Sequence, residues 1–246
     1  MKRHKVLLFD VETAPIQAYV WQLWETNVIK VVKDWYMLSY AYKWYGESTI
    51  HVVGLPDFSV WKKDKSDDEM LIRSLWELFN EADLIIGHNS NNFDIKKANT
   101  RFLIHGLKPP SPYHTVDTLK EFRKYMGFSS NKLNELSRQL AGEEKERTGG
   151  ADLWFDCMQG DMNAWARMKK YNKKDVVLLE NRYKDILPFI TNHPNLSLLD
   201  NKKDNCPNCG SKALQNRGWG VNRKSKYEKL HCTHCGAWFK GANIKV

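Results

Sequence analysis

Residues 5–13 read KVLLFDVET, and the way this apolar run breaks decides the fold. Val6, Leu7, Leu8 and Phe9 form an uninterrupted apolar stretch bounded by polar residues, the pattern of a buried strand. Asp10 and Glu12 enter at its end, two positions apart, so the period of two along a strand sets both on one face of a sheet. Neighbouring carboxylates at the end of a buried strand repel one another and resist desolvation. A divalent cation would relieve both costs, which makes the pair a candidate metal-binding site rather than a packing element.

Outward from this strand, residues 13–34 are expected to be irregular, with Pro15 discouraging an immediate helix. WYMLSYAYKWY and STIHVVGL are rich in aromatic and β-branched residues and predict an antiparallel hairpin. Residues 67–81 carry acids first and then apolar residues at helical spacing, as an amphipathic helix does. ADLIIGHN predicts a second buried strand, followed by a helix ending at Gly106. HTVDTL predicts a short strand whose Asp117 caps a helix through about Tyr125. NKLNELSRQLAG predicts a further helix, residues 142–156 a polar loop, and 161–187 a long helix ending before Pro188. Strands first and strand–helix alternation afterwards indicate an α/β layer fold with a mixed sheet flanked by helices.

Hydrophobic residues make up 42% and charged residues 27% of the 246-residue chain, ordinary globular composition with a core of useful size. No apolar run reaches the roughly 20 residues needed to span a bilayer. The first apolar stretch stops at Asp10 without a small-residue cleavage site, so the expectation is a cytoplasmic protein with no membrane partner. Net charge is +9, and ten basic against three acidic residues from Asp200 onward account for +7 of it. A basic tail on a near-neutral body suits an anionic polymer.

Three further groups carry chemistry. Asp94 is expected just past the second buried strand, at the start of a helix. Tyr171 and Asp175 are four apart and share a helical face. FDVET (9–13), HNSNNFD (88–94) and YNKKD (171–175) resemble the three motifs of the DEDD, or DnaQ-like, 3′–5′ exonucleases, in the subgroup whose third motif carries tyrosine. Order and spacing agree, over about residues 5–188. The resemblance implies a ribonuclease H-like fold and two Mg²⁺ or Mn²⁺ ions held by Asp10, Glu12, Asp94 and Asp175. It further implies two-metal-ion hydrolysis releasing nucleoside 5′-monophosphates. Tyr171 would orient the attacking water, and Thr13 and Asn89 would meet the nucleic acid. All-oxygen ligands suit hard cations and not zinc. Asp117 reads as a cap and His88 as a packed or hydrogen-bonded histidine. Trp21 and Trp24 suit either base stacking or hydrophobic packing.

Four of the five cysteines form two C-x-x-C knuckles, Cys206/Cys209 and Cys232/Cys235, each followed by glycine and separated by 22 residues. Paired knuckles of this kind signal a zinc ribbon with one structural Zn²⁺ held by four thiolates. Cys157 reads as a packed thiol. Between the knuckles Arg217, Trp219, Arg223, Lys224 and Lys226 interleave cations with aromatics, as a single-strand binding surface does. The competing possibility is that Trp219, Tyr227 and Trp238 form the module's small core. The expected organisation is a nuclease domain over 1–190, a linker over 191–204 and a zinc ribbon over 205–246. DNA is the preferred substrate, with single-stranded or frayed 3′ ends and a proofreading or repair role. RNA with the same chemistry is the alternative, as is an inactive binding module, or a ribbon that docks to a polymerase or other replication factor.

Overall fold

The computed structural model describes residues 4–24, 27–143 and 149–244. The opening strand, β1 (Val6–Thr13), is central in a five-stranded mixed sheet. A short hairpin follows, β2 (Gln17–Tyr19) paired with β3 (Lys30–Lys33), where the sequence suggested irregular chain. Next come β4 (Met37–Trp44) and β5 (His51–Gly54), antiparallel as their aromatic and β-branched content predicts. The chain continues through α1 (Glu69–Glu81), β6 (Leu84–Gly87), α2 (Asp94–Ile104), β7 (His114–Asp117), α3 (Thr118–Tyr125) and α4 (Leu133–Ala141). It then forms α5 (Asp152–Gln159), the 25-residue α6 (Met162–Ile186) and α7 (Leu196–Leu199). A separate three-stranded sheet, β8 (Leu214–Val221), β9 (Lys226–Cys232) and β10 (Trp238–Ile244), closes the described chain. No described helix is long and apolar enough to cross a membrane.

The large sheet runs β5-β4-β1-β6-β7, antiparallel on the β4 side of β1 and parallel on the β6 side. Alternation along β1 sorts its side chains between two cores. Leu7, Phe9 and Val11 pack with Leu71, Ile72, Leu75 and Phe79 of α1. Val6 and Leu8 face the other way, onto Val176, Leu179, Tyr183 and Ile186 of α6. Asp10 and Glu12 have the same parity as Val6 and Leu8, so they continue the face that α6 covers. β1, β6 and β7 are parallel, which gathers their carboxyl ends at one edge of the sheet, where open α/β sheets bind ligands.

One further local prediction needs correction. Part of the 142–156 segment read as loop is helical, because Asp152 begins α5 and its apolar Leu153 and Cys157 sit one turn apart in the core; residues 144–148 lie outside the described residues. The 191–204 stretch contains α7 and the buried residues His193, Leu196 and Asp200. Burial holds the His193 imidazole down at about 4. The neutral ring then accepts from the Tyr183 hydroxyl at 2.9 Å and donates to the Pro194 carbonyl at 2.8 Å.

Leu179 is 1% exposed at the contact between α6 and the sheet. Leu179→Ala should lower stability by about 3 kcal/mol through lost burial and a residual cavity. Urea unfolding should show this as a lower midpoint with an unchanged slope.

Candidate active site at the carboxyl edge of the sheet

Asp10 and Glu12 lie opposite Ala41 and Ser39 of β4. Opposed residues share a face, and these two small side chains leave room for α6 to approach the acids. Immediately before the apolar contact Val176 of α6, Asp175 points at the same place and is 2% exposed. Carboxylate oxygens of Asp10, Glu12 and Asp175 lie within 4.8 Å of one another. Three like charges this close in a half-buried setting are an electrostatic cost that a divalent cation removes, and hard oxygen donors fit Mg²⁺ or Mn²⁺.

Tyr171 joins this group. Its hydroxyl is hydrogen-bonded to Asp175, and burial raises its pKa far above the usual phenol value, with the charges of Asp175, Glu12 and Asp10 adding to the effect. In this environment the phenol keeps its proton and acts as a donor. Asp94 is the first residue of α2 and is 4% exposed. It sits against the middle of the first motif, where its Oδ1 accepts from the Val11 amide at 3.1 Å. The structure therefore gathers Asp10, Glu12, Asp175 and Tyr171 directly and attaches Asp94 through the backbone between the two motif acids.

The loop from β6 to α2 carries Asn89, whose φ of 63° is left-handed, a conformation asparagine tolerates better than most side chains. A Cβ at Gly87 would meet the Ser90 Cβ at 2.4 Å, so this tight fold-back requires glycine. Asp117 fastens the loop. Its carboxylate caps α3 at Leu119 (3.1 Å), as the sequence predicts, and also accepts from the amides of Asn89 (2.8 Å) and Asn91 (3.2 Å). That second task was not foreseen. His88 bonds Thr118 Oγ1 and the Asn131 carbonyl, both at 2.9 Å, in keeping with a hydrogen-bonded histidine. A cleft of about 680 Å³ opens beside His88 and Asn89, edged by Arg123, Ser130 and Lys132.

Two residues that bond the motif acids were missed. Asn172 donates to Asp10 Oδ2 at 2.8 Å, and the Trp154 indole donates to Glu12 Oε2 at 3.0 Å. Asn172 gave no signal beyond its place beside Tyr171, and Trp154 fell in the segment read as loop. Trp21 and Trp24 are 88% and 81% exposed, which removes hydrophobic packing as their role. They belong to an apolar projection that includes β2 and β3 and leaves the sheet directly after Thr13 and Ala14.

At the other end of α6, the four knuckle thiols converge. Sγ–Sγ separations are 3.6 Å for Cys206–Cys235 and 3.7 Å for Cys209–Cys232. Disulfides need about 2.05 Å, whereas a tetrahedron with Zn–S near 2.3 Å has edges of about 3.8 Å. The donor set thus fits Zn²⁺. Gly210 and Gly236, at φ of 70° and 79°, turn each knuckle so that its amide donates to the first cysteine's carbonyl. The small core here is Ala237 with Leu214 and Phe239 around the cysteines. Trp219 and Trp238 are instead 44% and 52% exposed, and the Lys226 ammonium lies 4.9 Å from the Trp219 ring. Arg217, Arg223 and Lys224 are exposed on β8 and the turn after it. Cys157 is fully buried, and burial pushes its thiol up to about 12, as befits a packed cysteine.

With an acid-lined edge on a mixed five-stranded sheet, the chain belongs to the RNase_H superfamily: a model of the RNase_H_2 family matches residues 25–186. That span holds Asp94, Tyr171 and Asp175, while β1 precedes it. The structure is similar to that of the family B DNA polymerase from the hyperthermophilic archaeon Pyrobaculum calidifontis, with a TM-score of 0.57 at 15% identity. The alignment covers 93% of this chain and 32% of the polymerase, so the chain spans about a third of that protein's length. At this identity the likeness is one of fold. Comparison with curated proteins gives no match. Superfamily membership supports a nuclease-type function acting on nucleic acid.

Asp117→Ala should release the loop after β6. Amide hydrogen exchange at Asn89 and Asn91 should lose protection, with about 2 kcal/mol lost in global stability for a buried acceptor of several amides.

Proposed function

We propose that this chain is a metal-dependent 3′–5′ exonuclease of the tyrosine-type DEDD group, releasing nucleoside 5′-monophosphates from single-stranded or frayed DNA 3′ ends. The observation that carries it is the meeting of Asp10, Glu12 and Asp175 beside the Tyr171 hydroxyl. Two Mg²⁺ or Mn²⁺ ions, when bound by these acids and Asp94, supply Lewis-acid stabilisation of the charge that develops in hydrolysis. Tyr171 orients the attacking water by donating its O–H, and Glu12 contacts the same water. Thr13, which follows Glu12 at a register shift in β1, and Asn89 on its left-handed turn meet the terminal nucleotide. The exposed Trp21 and Trp24 stack on bases upstream of it.

In this proposal residues 1–190 form the nuclease domain, and 205–246 form a zinc ribbon carried on 191–204. Cys206, Cys209, Cys232 and Cys235 hold one structural Zn²⁺, and Arg217, Trp219, Arg223, Lys224 and Lys226 grip the strand. The cellular task is proofreading or repair of ends left by a separate polymerase.

Asp10→Ala and Asp175→Ala should each abolish Mg²⁺-dependent release of mononucleotides from a 3′-labelled single strand. Digestion by either variant at the wild-type rate would remove the assignment. A panel of single- and double-stranded DNA and RNA should show single-stranded DNA degraded fastest, and faster degradation of RNA would move the substrate class. Trp21→Ala with Trp24→Ala should raise KM for the strand about tenfold, equivalent to about 1.4 kcal/mol of lost stacking. Deleting residues 204–246 should flatten the salt dependence of binding while basal hydrolysis persists.

A further inference from the structure

Asp10 and Glu12 each receive a neutral N–H donor from a residue other than the five side chains the motifs assign to catalysis. Asn172, on α6, is fully buried against β4. Its Nδ2 donates to Asp10 Oδ2 at 2.8 Å, and its Oδ1 accepts from the Ser39 hydroxyl at 3.2 Å. That second bond fixes which end of the amide faces the acid. Because Ser39 stands opposite Glu12, the relay ties β4, α6 and β1 together at the first motif. From the other side, the Trp154 indole N–H donates to Glu12 Oε2 at 3.0 Å. Its ring meets Tyr171 edge-on, with centroids 5.9 Å apart and planes at 73°.

The geometry points to Asn172 and Trp154 as positioning residues that set the carboxylates of Asp10 and Glu12 for a divalent cation. This rests on the metal-dependent nuclease proposed above. The chemistry of the donors is the reason. A neutral N–H holds a carboxylate's plane without cancelling its charge, whereas a lysine or arginine at the same place would compete with the cation for it. With Asn172 fully buried and Trp154 half-buried, both bonds are costly to leave unmade and constrain rotation more firmly than bonds in water would. Trp154 adds a coupling, since one side chain contacts both Glu12 and Tyr171 and holds the metal-facing acid and the water-orienting phenol in fixed relation. It also gives α5 a purpose at the site.

The test uses the full chain and Mn²⁺ alone as probe, titrated by electron paramagnetic resonance, alongside the Mg²⁺ dependence of nucleotide release. Trp154→Phe keeps the ring and deletes the N–H, and Asn172→Ala deletes the amide. Ser39→Ala is the milder variant, which frees the amide without opening a large cavity. Trp154→Phe and Asn172→Ala should each weaken Mn²⁺ binding about tenfold, within the range for partners of metal ligands. Ser39→Ala should weaken it about threefold, in keeping with its place one bond further out. The Mg²⁺ concentration for half-maximal rate should shift by the same factors. Saturating Mg²⁺ should restore most of kcat in Trp154→Phe. Wild-type Mn²⁺ affinity in folded Trp154→Phe and Ser39→Ala would overturn the inference and leave the nuclease intact. A wild-type chain that binds no Mn²⁺ would overturn both.

Discussion

The packing of α6 across β1 governs both ends of the molecule. Val176 and Leu179 fix the helix against Val6 and Leu8, and a fixed helix has no freedom in where it presents its remaining faces. Over the turn that precedes Val176 it must offer Asp175, Asn172 and Tyr171 to Asp10 and Glu12. Just past its C-terminus the chain meets the first knuckle, where the Asn208 amide donates to the carbonyls of Leu187 and Ile190 at 3.0 Å each. Apolar burial thereby supplies the free energy that holds three carboxylates together against their own repulsion.

Each of those carboxylates, and Asp94 beside them, takes at least one neutral donor. Asp94 takes a backbone amide, Asp10 a side-chain amide, Glu12 an indole N–H, and Asp175 a phenol. These are donors that orient an anion and leave its charge in place. Ion pairs occur elsewhere in the interior. Lys43 meets Glu180 at 2.5 Å, and Asp68 binds Arg101 and His105 beneath the Met37 amide.

Much of this was legible in the sequence because it follows from periodicity. Alternation in β1 put Asp10 and Glu12 on one face, spacing of four paired Tyr171 with Asp175, and the cap at Asp117 came from its place between strand and helix. What sequence could not show depends on contacts between distant segments. Trp154 and Glu12 are 142 residues apart, and nothing local marks an indole that will donate to that acid. Asn172 is an ordinary helical asparagine until Ser39 and Asp10 flank it. The hairpin of β2 and β3 was missed for another reason. Its strands are short, and they are paired with each other outside the main sheet, so no burial pattern announces them.

That hairpin has a consequence for the behaviour of the chain in solution. Every residue of β3 is exposed, and Trp21, Leu23 and Trp24 at its approach are each more than 80% exposed. Two-stranded ribbons are marginal by themselves, and open strand edges carrying apolar side chains template the addition of further strands. Lys30 and Lys33 at the two ends of β3 are the charges that oppose such addition, so neutralising them would promote self-association at this ribbon without touching the packing of α6 on β1.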